Sequence, residues 1–326
     1  MKKILLTLLI VGFTNAFSQT KKDYSFAYST DSIIRTGFGH YEKGQYNEAI
    51  NEFKKIAKSD PKYLVAQHEI ALSLYANDKK EELLKHFETL YNEGKMKEQP
   101  SLYTLYGTYY SDEKDFDKAE KIFNEGEKYL SNSSNFLYNQ AILYLRKNDL
   151  QKSADILKKA VTLNPNLASG HYFLGSIALE NGNIVEGSLA LLSYLAISPT
   201  GKFAEEAVLK LNKKFGENYL TKGKVVFNTS GDNYEELETI LRNQLPLRKA
   251  YKLKTEIDDV IMRQMQAVME YSLEHKMGTG FFETTYLPWI KDVVEKKQFE
   301  GFSYYMLLGL EEKLGKEITK HKKVQI

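Results

Sequence analysis

The chain has 326 residues, with 45 lysines and arginines against 43 aspartates and glutamates, and no cysteine. A net charge so close to zero creates no long-range field to gather nucleic acid, so we predict no nucleic-acid partner. The absence of cysteine excludes disulfides and thiol chemistry, so burial of a core must stabilise the chain, and its length is ample for that.

The first 18 residues have the pattern of a secretory signal peptide. Two lysines precede an apolar run from Ile4 to Phe13, and the small residues Ala16 and Ser18 stand just before Gln19. The run is shorter than the ~20 residues that span a bilayer, and an uncleaved anchor is the alternative. We predict export to the periplasm, a mature chain starting near Gln19 with a linker over 19–29, and no stable membrane insertion after cleavage.

A small residue recurs along residues 30–200 with a period close to 34. The five positions are Gly37, Ala71, Gly107, Ala141 and Gly175, separated by 34, 36, 34 and 34 residues. Twelve residues after each comes a second, mostly compact residue: Ala49, Leu83, Ala119, Ser153 and Gly187. A bulky apolar residue follows four positions later: Phe53, Phe87, Phe123, Leu157 and Leu191. The spacing predicts pairs of helices, A and B, that cross closely at the small residues.

The turns between the two helices of each pair are also readable. Gly44 and Gly182 stand where the chain must leave helix A with positive φ, and Lys114 and Asn148 take that place in repeats three and four. Asn tolerates this conformation better than Lys does. Repeat two matches the pattern least well. Prolines end helix B in three repeats, at Pro61, Pro165 and Pro199.

This pattern resembles the tetratricopeptide repeat (TPR) over residues 30–200. The resemblance implies an all-α fold, a TPR helical solenoid of about five repeats with a C-terminal helical extension. One helix pair cannot bury its apolar stripe alone, so neighbouring pairs stack. The resemblance also implies a concave face lined by helix A, where TPR proteins usually take a ligand. A short signal ending before Gln and a helical extension are further similar to TPR proteins exported by Bacteroidetes.

The period ends after Pro199. Residues 201–216 predict one amphipathic helix that caps the last repeat, and residues 217–326 predict a C-terminal helical unit with a basic tail. Val225 to Phe227 is a candidate extended piece within a loop.

Two capping signals place helices within this C-terminal unit. Asp232 or Asn233 is expected to cap a short helix, and Thr255 with Asp258 resembles a capping box that opens the longest helix, which runs to about His275. The aromatic-rich stretch from Phe281 onward is interpreted mainly as core.

No motif of catalysis, metal binding or cofactor binding is present. The six histidines form no His-x-x-x-His pair, and His68-Glu69 lacks the second histidine of a zinc hydrolase helix. Phosphate-loop, dinucleotide-loop and Gly-x-Ser-x-Gly patterns are also missing. We therefore predict a protein that is not an enzyme, with no catalytic residue, no metal and no cofactor. The abundant acidic residues are interpreted as solvated helix faces.

The helix-A positions that TPR proteins turn toward the groove are mostly aromatic and apolar here. The resemblance assigns partner binding to Phe38, Tyr41, His68, Tyr75, Tyr138 and Tyr172. The sequence departs from the Lys/Asn/Arg clamp by which TPR chaperone cofactors grip a carboxylate. Aromatic side chains dominate binding hot spots, which suits an apolar partner segment. The same side chains could instead pack against neighbouring helices.

We predict an exported scaffold or adaptor that binds a protein or peptide partner through this groove, within an envelope assembly or secretion machine. The alternative is an enzyme or small-ligand binder whose site is a polar pocket in the C-terminal helical unit, around residues 255–305. A self-assembling structural protein is a third hypothesis.

Overall fold

The computed structural model describes residues 30–216 and 231–310. The predicted signal peptide, the linker over 19–29, the candidate extended piece at Val225 to Phe227 and the basic tail lie outside the described residues. Within the described ranges the regular structure is entirely helical, which confirms the all-α prediction. No helix in these ranges is long and apolar enough to cross a membrane.

Fifteen α-helices occur in the part of the chain that the structure describes, together with three short 3-10 turns. They are α1 (30–42), α2 (Tyr46–Phe53), α3 (Tyr63–Ala76), α4 (Lys80–Asn92), α5 (Ser101–Asp112), α6 (Phe116–Leu130), α7 (Ser134–Arg146), α8 (Leu150–Leu163), α9 (Ala168–Glu180), α10 (Ile184–Ile197), α11 (Ala204–Gly216), α12 (Glu235–Arg242), α13 (Val260–Glu274), α14 (Phe281–Glu295) and α15 (Phe299–Met306). The 3-10 turns are Lys95–Lys97, Leu245–Leu247 and Leu307–Leu310.

The chain forms two compact units, which divide at Leu130. The first unit contains three helix pairs, α1 with α2, α3 with α4 and α5 with α6. Glycine is required where α1 crosses α2 and where α5 crosses α6: a Cβ on Gly37 would lie 2.5 Å from the Phe53 ring, and one on Gly107 would lie 2.8 Å from the Phe123 ring. The small and bulky positions of the sequence period therefore meet in space as predicted.

All five A-to-B turns contain a residue with positive φ at the same place in the period. The five are Gly44, Asp78, Lys114, Asn148 and Gly182, with φ between 53° and 86°. Glycine adopts this conformation without steric cost, whereas Lys114 adopts it in spite of the steric cost of its Cβ. The turn geometry is thus kept even where the residue is unfavourable, because the following helix must reverse direction to pack on helix A.

The second unit begins with repeats four and five, α7 with α8 and α9 with α10. The Ser153 hydroxyl donates to the Ala141 carbonyl at 2.9 Å, which joins the two small positions of repeat four. In repeat five a Cβ on Gly175 would lie 2.9 Å from the carbonyl oxygen of Gly187. The two backbones are therefore in close contact at this crossing.

Helix α10 is buried on all sides from Ile184 to Leu195. A helix that is apolar all round must be enclosed by other elements. Here α9, α11, α12, α14 and α15 all pack against it. The C-terminal helices thus cover helix B of repeat five, and α11 is itself covered by α13.

The helix starts in the C-terminal part differ from the predicted ones. Helix α13 is capped by Asp259, whose side chain accepts from the Ile261 amide, and the predicted capping box at Thr255 is wrong. Thr255 instead donates its hydroxyl to the Ile257 carbonyl, and Asp258 forms an ion pair with Arg263. The side chains of Thr255 and Asp258 are therefore engaged in a local turn and in an ion pair, and they do not form a capping box.

Candidate protein-binding surface

Four of the six predicted partner-binding residues lie on helix A of repeats one and two, in the first unit. Phe38 and Tyr41 are three residues apart on α1, and His68 and Tyr75 are seven apart on α3, so each pair shares one face of its helix. Phe38 and Tyr75 are each 39% exposed. We name this set, Phe38, Tyr41, His68 and Tyr75, the helix-A face.

Helix B residues hold the rings of α1 in place. The Phe38 ring contacts the buried Phe53 ring edge-on, with centroids 5.8 Å apart. Tyr41 meets Tyr46 in the same manner at 5.3 Å. Partial burial raises the pKa of Tyr41, so its hydroxyl stays protonated and can donate a hydrogen bond. The two rings therefore present fixed edges to solvent.

The side chains of α3 combine aromatic and polar groups. Nδ1 of His68 lies 3.0 Å from the Glu69 carboxylate, which orients the half-buried imidazole. The Tyr75 hydroxyl donates to the Asp112 carboxylate at the end of α5. The Tyr75 ring is thereby anchored at its polar tip while its face stays accessible.

A cavity of about 340 Å³ adjoins Tyr75 at the ends of α3 and α5. An ion pair between Lys80 and Glu113, with 2.7 Å between Nζ and Oε1, crosses this region. The cavity is lined by Leu74, Tyr75, Asp78, Lys79, Lys80, Leu83, Tyr109, Asp112 and Glu113. Sequence reasoning missed the residues that α5 contributes, because no local signal shows that the ends of α3 and α5 come together.

The two predicted residues of the second unit have different environments. Tyr138 is half-buried on α7, with its ring 6.1 Å from that of Phe173. Tyr172 is only 3% exposed, because Phe203 stacks on it at 4.2 Å with the rings nearly parallel. Burial and a hydrogen bond with Glu206 raise the pKa of Tyr172. Tyr172 therefore packs in the core of α9 to α11 and offers almost no surface to a partner.

Two segments of the chain, residues 100–129 and 134–167, match the family model of the tetratricopeptide repeat. They coincide with α5–α6 and α7–α8. Repeats three and four thus match the tetratricopeptide repeat. This match and the helix-pair architecture together confirm the predicted TPR-type helical fold, and proteins of this family generally mediate protein–protein interaction.

Several solved structures are similar to parts of the chain. A thermophilic TPR protein of Thermus thermophilus shares 15% identity, with a TM-score of 0.47 over 57% of this chain and 98% of that one. PilF of Pseudomonas aeruginosa shares 14%, with a TM-score of 0.45 over 58% and 90%. The TPR2AB domain of yeast Sti1, in a complex with pHSP90, shares 14%, with a TM-score of 0.32 over 58% and 99%. No curated protein sequence matches the chain.

Beyond the TPR helix pairs, the second unit contains a buried cluster of ionisable groups. The fully buried Glu283 carboxylate accepts from His275 Nε2 at 2.8 Å and from the backbone amides of Asn233, at 2.9 Å, and Gly278. Asp232 accepts from the Glu283 amide at 2.9 Å. These bonds tie the segment before α12 to the segment between α13 and α14, which favours a structural role over a ligand site.

This cluster is where the alternative function would have to reside, since it gathers acids and a histidine near residues 275–283. Its carboxylate oxygens mostly hold backbone amides of the chain itself. Among the described residues, no group of three or more histidine, aspartate or glutamate side chains is arranged to hold a metal ion.

Proposed function

We propose that this protein is an exported scaffold or adaptor that binds a protein or peptide partner through its helix-A face. The observation that carries the proposal is the exposure of Phe38 and Tyr75, two large rings on helix A of repeats one and two. Aromatic rings contribute much contact area at little entropic cost, and they dominate binding hot spots. An apolar or amphipathic segment of the partner is the ligand that such a face fits.

The partner is expected to contact both the apolar rings and the charged side chains of this surface. The rings of Phe38 and Tyr41 offer apolar edges, while the cavity beside Tyr75 offers the carboxylates and lysines that line it. A segment with an apolar anchor followed by polar residues would satisfy both. Tyr138 on α7 is a further candidate contact, because its ring remains half-buried rather than covered.

Export is the second part of the proposal and rests on the first 18 residues. We propose a periplasmic location and a role in an envelope assembly or secretion machine, in the manner of the exported Bacteroidetes TPR proteins. The test is the mass and N-terminal sequence of the protein recovered from a periplasmic fraction. A mature chain that starts at Gln19 is expected. A chain that retains Met1 in the membrane fraction would show an uncleaved anchor instead.

The binding test is crosslinking mass spectrometry in the native envelope, which compares wild type with a Phe38→Ala/Tyr75→Ala variant. The matched control is Tyr129→Ala, which removes a 46% exposed ring on α6 that stacks on Tyr103 and is not one of the four residues of the helix-A face. Crosslinks to a partner should disappear in the double variant and persist in the control. Unchanged crosslinks in a folded double variant would contradict the proposal and direct attention to the C-terminal helices.

A further inference from the structure

A second groove of about 390 Å³ lies in the first unit, on the other side of α3. Its floor is formed by Tyr63, Gln67, Ile70 and Leu74 on α3, which are spaced at i, i+4, i+7 and i+11 and so share one face. At 100° per residue this face is roughly 120° around the helix from His68 and Tyr75. Its walls are Ile50, Lys54 and Lys58 on one side and Glu82, Lys85, His86, Thr89, Leu90 and Glu93 on the other.

The helix pair that borders the groove departs from the repeat pattern at one position. Leu83 occupies the crossing position at which the other four repeats have alanine, serine or glycine. It is 1% exposed, so its whole side chain lies between the helices. Helices α3 and α4 consequently pack less closely than α5 and α6. His86 bridges the opening by donating from Nε2 to the Gln67 carbonyl at 2.9 Å.

Three lysines and two glutamates, Glu82 and Glu93, line the groove. Lys54, Lys58 and Lys85 are exposed, and within the described residues their ammonium groups form no ion pair or hydrogen bond. Glu82 is held by Lys79 at 2.9 Å, and Lys79 together with Lys54 lowers its pKa. Burial lowers the pKa of His86, so this histidine is a neutral part of the wall.

The groove has the length of a short peptide rather than of a single anion. The floor residues span eleven helical steps, from Tyr63 to Leu74, or about 17 Å at 1.5 Å per residue. An extended chain covers that distance with about five residues. The apolar lining residues Ile50, Ile70 and Leu90 are almost completely buried, so the groove is shallow and a ligand would gain little from apolar contact. Charge must therefore supply most of the attraction.

We propose that this groove, which we call the basic groove, binds an acidic extended segment of a partner protein. The carboxylates of the segment pair with Lys54, Lys58 and Lys85 while its backbone crosses the floor of α3. Because the lysines are exposed, salt screens the attraction, and binding weakens steeply between low and physiological ionic strength. The basic groove is independent of the helix-A face, so either surface can fail experimentally without the other.

The test begins with a random dodecapeptide phage library selected on the full mature chain at low ionic strength. Enrichment of peptides with several aspartates and glutamates is expected. The best peptide is then synthesised with a fluorophore, and its dissociation constant is measured by anisotropy. A Lys54→Glu/Lys85→Glu variant should weaken binding by at least ~10-fold, because two attractive pairs become repulsive.

Two variants control for the alternatives. Lys121→Glu/Lys128→Glu makes the same change in net charge on the exposed face of α6 and should leave the dissociation constant within about twofold. Phe38→Ala/Tyr75→Ala should also leave it unchanged. Circular dichroism checks that each variant is folded, which surface charge changes rarely prevent.

Three outcomes would overturn the proposal. A library that yields no acidic enrichment would show that the groove selects no acidic peptide. Equal weakening by both charge-reversal variants would show non-specific attraction to net charge. Sedimentation with phosphatidylglycerol vesicles that is lost in Lys54→Glu/Lys85→Glu, without acidic peptide enrichment, would assign the lysines to a lipid surface instead.

Discussion

His171 and Tyr286, which are 115 residues apart in the sequence, form a hydrogen bond in the core of the second unit. Nδ1 of His171 lies 2.9 Å from the Tyr286 hydroxyl, and Nε2 lies 2.8 Å from the Pro165 carbonyl. A carbonyl can only accept, so Nε2 carries the proton and Nδ1 accepts from the tyrosine. Burial lowers the pKa of His171 and keeps it neutral. This bond connects helix A of repeat five to α14.

This hydrogen bond should contribute measurably to the free energy of unfolding of the second unit. Tyr286→Phe keeps the buried ring and removes the hydroxyl, so Nδ1 of His171 is left as a buried acceptor without a donor. A loss of about 1–3 kcal/mol in the free energy of unfolding is expected. Urea unfolding followed by the fluorescence of Trp289, the single tryptophan of the chain, reports on this unit directly.

The control for this bond is Tyr305→Phe, which removes a hydroxyl from a partly exposed ring on α15 of the same unit. Its free energy of unfolding should match that of wild type within about 0.5 kcal/mol. If Tyr286→Phe were as stable as wild type, the hydroxyl would contribute nothing to the attachment of α14.

The backbones of α9 and α10 approach closely where these helices cross, and a second prediction follows from this contact. A Cβ on Gly187 would lie 2.6 Å from a side-chain carbon of Leu179 and 2.9 Å from the Leu179 backbone nitrogen. Gly187→Ala should therefore destabilise the second unit by roughly 1–3 kcal/mol, in spite of the better helix propensity of alanine. The measurement is again urea unfolding by tryptophan fluorescence.

The matched change is Gly301→Ala in α15, where a Cβ meets no atom within 4 Å. Here only the helix propensity changes, and a gain of about 0.5–1 kcal/mol is expected. If the two substitutions change the free energy of unfolding in opposite directions, the close contact at the crossing of α9 and α10 is the cause. Equal signs would show that α9 and α10 can separate at little cost.

The repeat architecture was predictable from the sequence because its information is local and periodic. The spacing of Gly37 and Phe53 alone implies that a helix returns along its neighbour, and the structure places them in contact. The positive φ at Gly44 was predictable for the same reason. The same position of repeat two, Asp78, has positive φ without any glycine to signal it.

Long-range contacts were not predictable from local patterns. Asp232 was expected to cap the helix that follows it, yet it accepts from the Glu283 amide and so caps the start of α14. Tyr172 was assigned to the groove by its place in the repeat, but Phe203, from beyond the last repeat, covers it. The periodic pattern shows which face a residue occupies, whereas a distant segment decides whether that face remains exposed.

The contrast between Tyr172 and the exposed rings gives a third prediction. Tyr172→Ala should destabilise the second unit by about 3–5 kcal/mol, because a buried ring stacked on Phe203 is lost. Phe38→Ala should cost about 1–2 kcal/mol at most, because much of that ring already faces water. Unfolding of the first unit is followed by amide hydrogen exchange in α1 and α3, and that of the second by Trp289. A small effect at Tyr172 would reopen it as a partner contact.

The buried Glu186 on α10 should make stability depend on pH. Burial, with the nearby charge of Glu238 and Asp232, raises its pKa to about 7 from an ordinary value of 4.5, and Lys158 is the nearby cation. A raised carboxyl pKa means that the folded protein binds the proton more tightly than the unfolded chain does. This stabilisation is complete below about pH 4.5 and is lost as the pH rises to about 7.

Glu186→Gln removes the titration and keeps the shape of the side chain. The variant should match wild type near pH 5 and exceed its free energy of unfolding by roughly 1–3 kcal/mol at pH 8, because wild type must then bury a charge. The buried neutral His171 destabilises the folded protein as the pH falls below its ordinary pKa of 6.5, which is the opposite dependence. This effect is the same in wild type and Glu186→Gln, so it cancels when their free energies of unfolding are subtracted. Urea titrations of both proteins from pH 5 to 8, followed by Trp289, measure this difference. A difference that stays constant across the range would show that Glu186 is ionised in the folded protein throughout, as it is in the unfolded chain, and that its pKa is not raised.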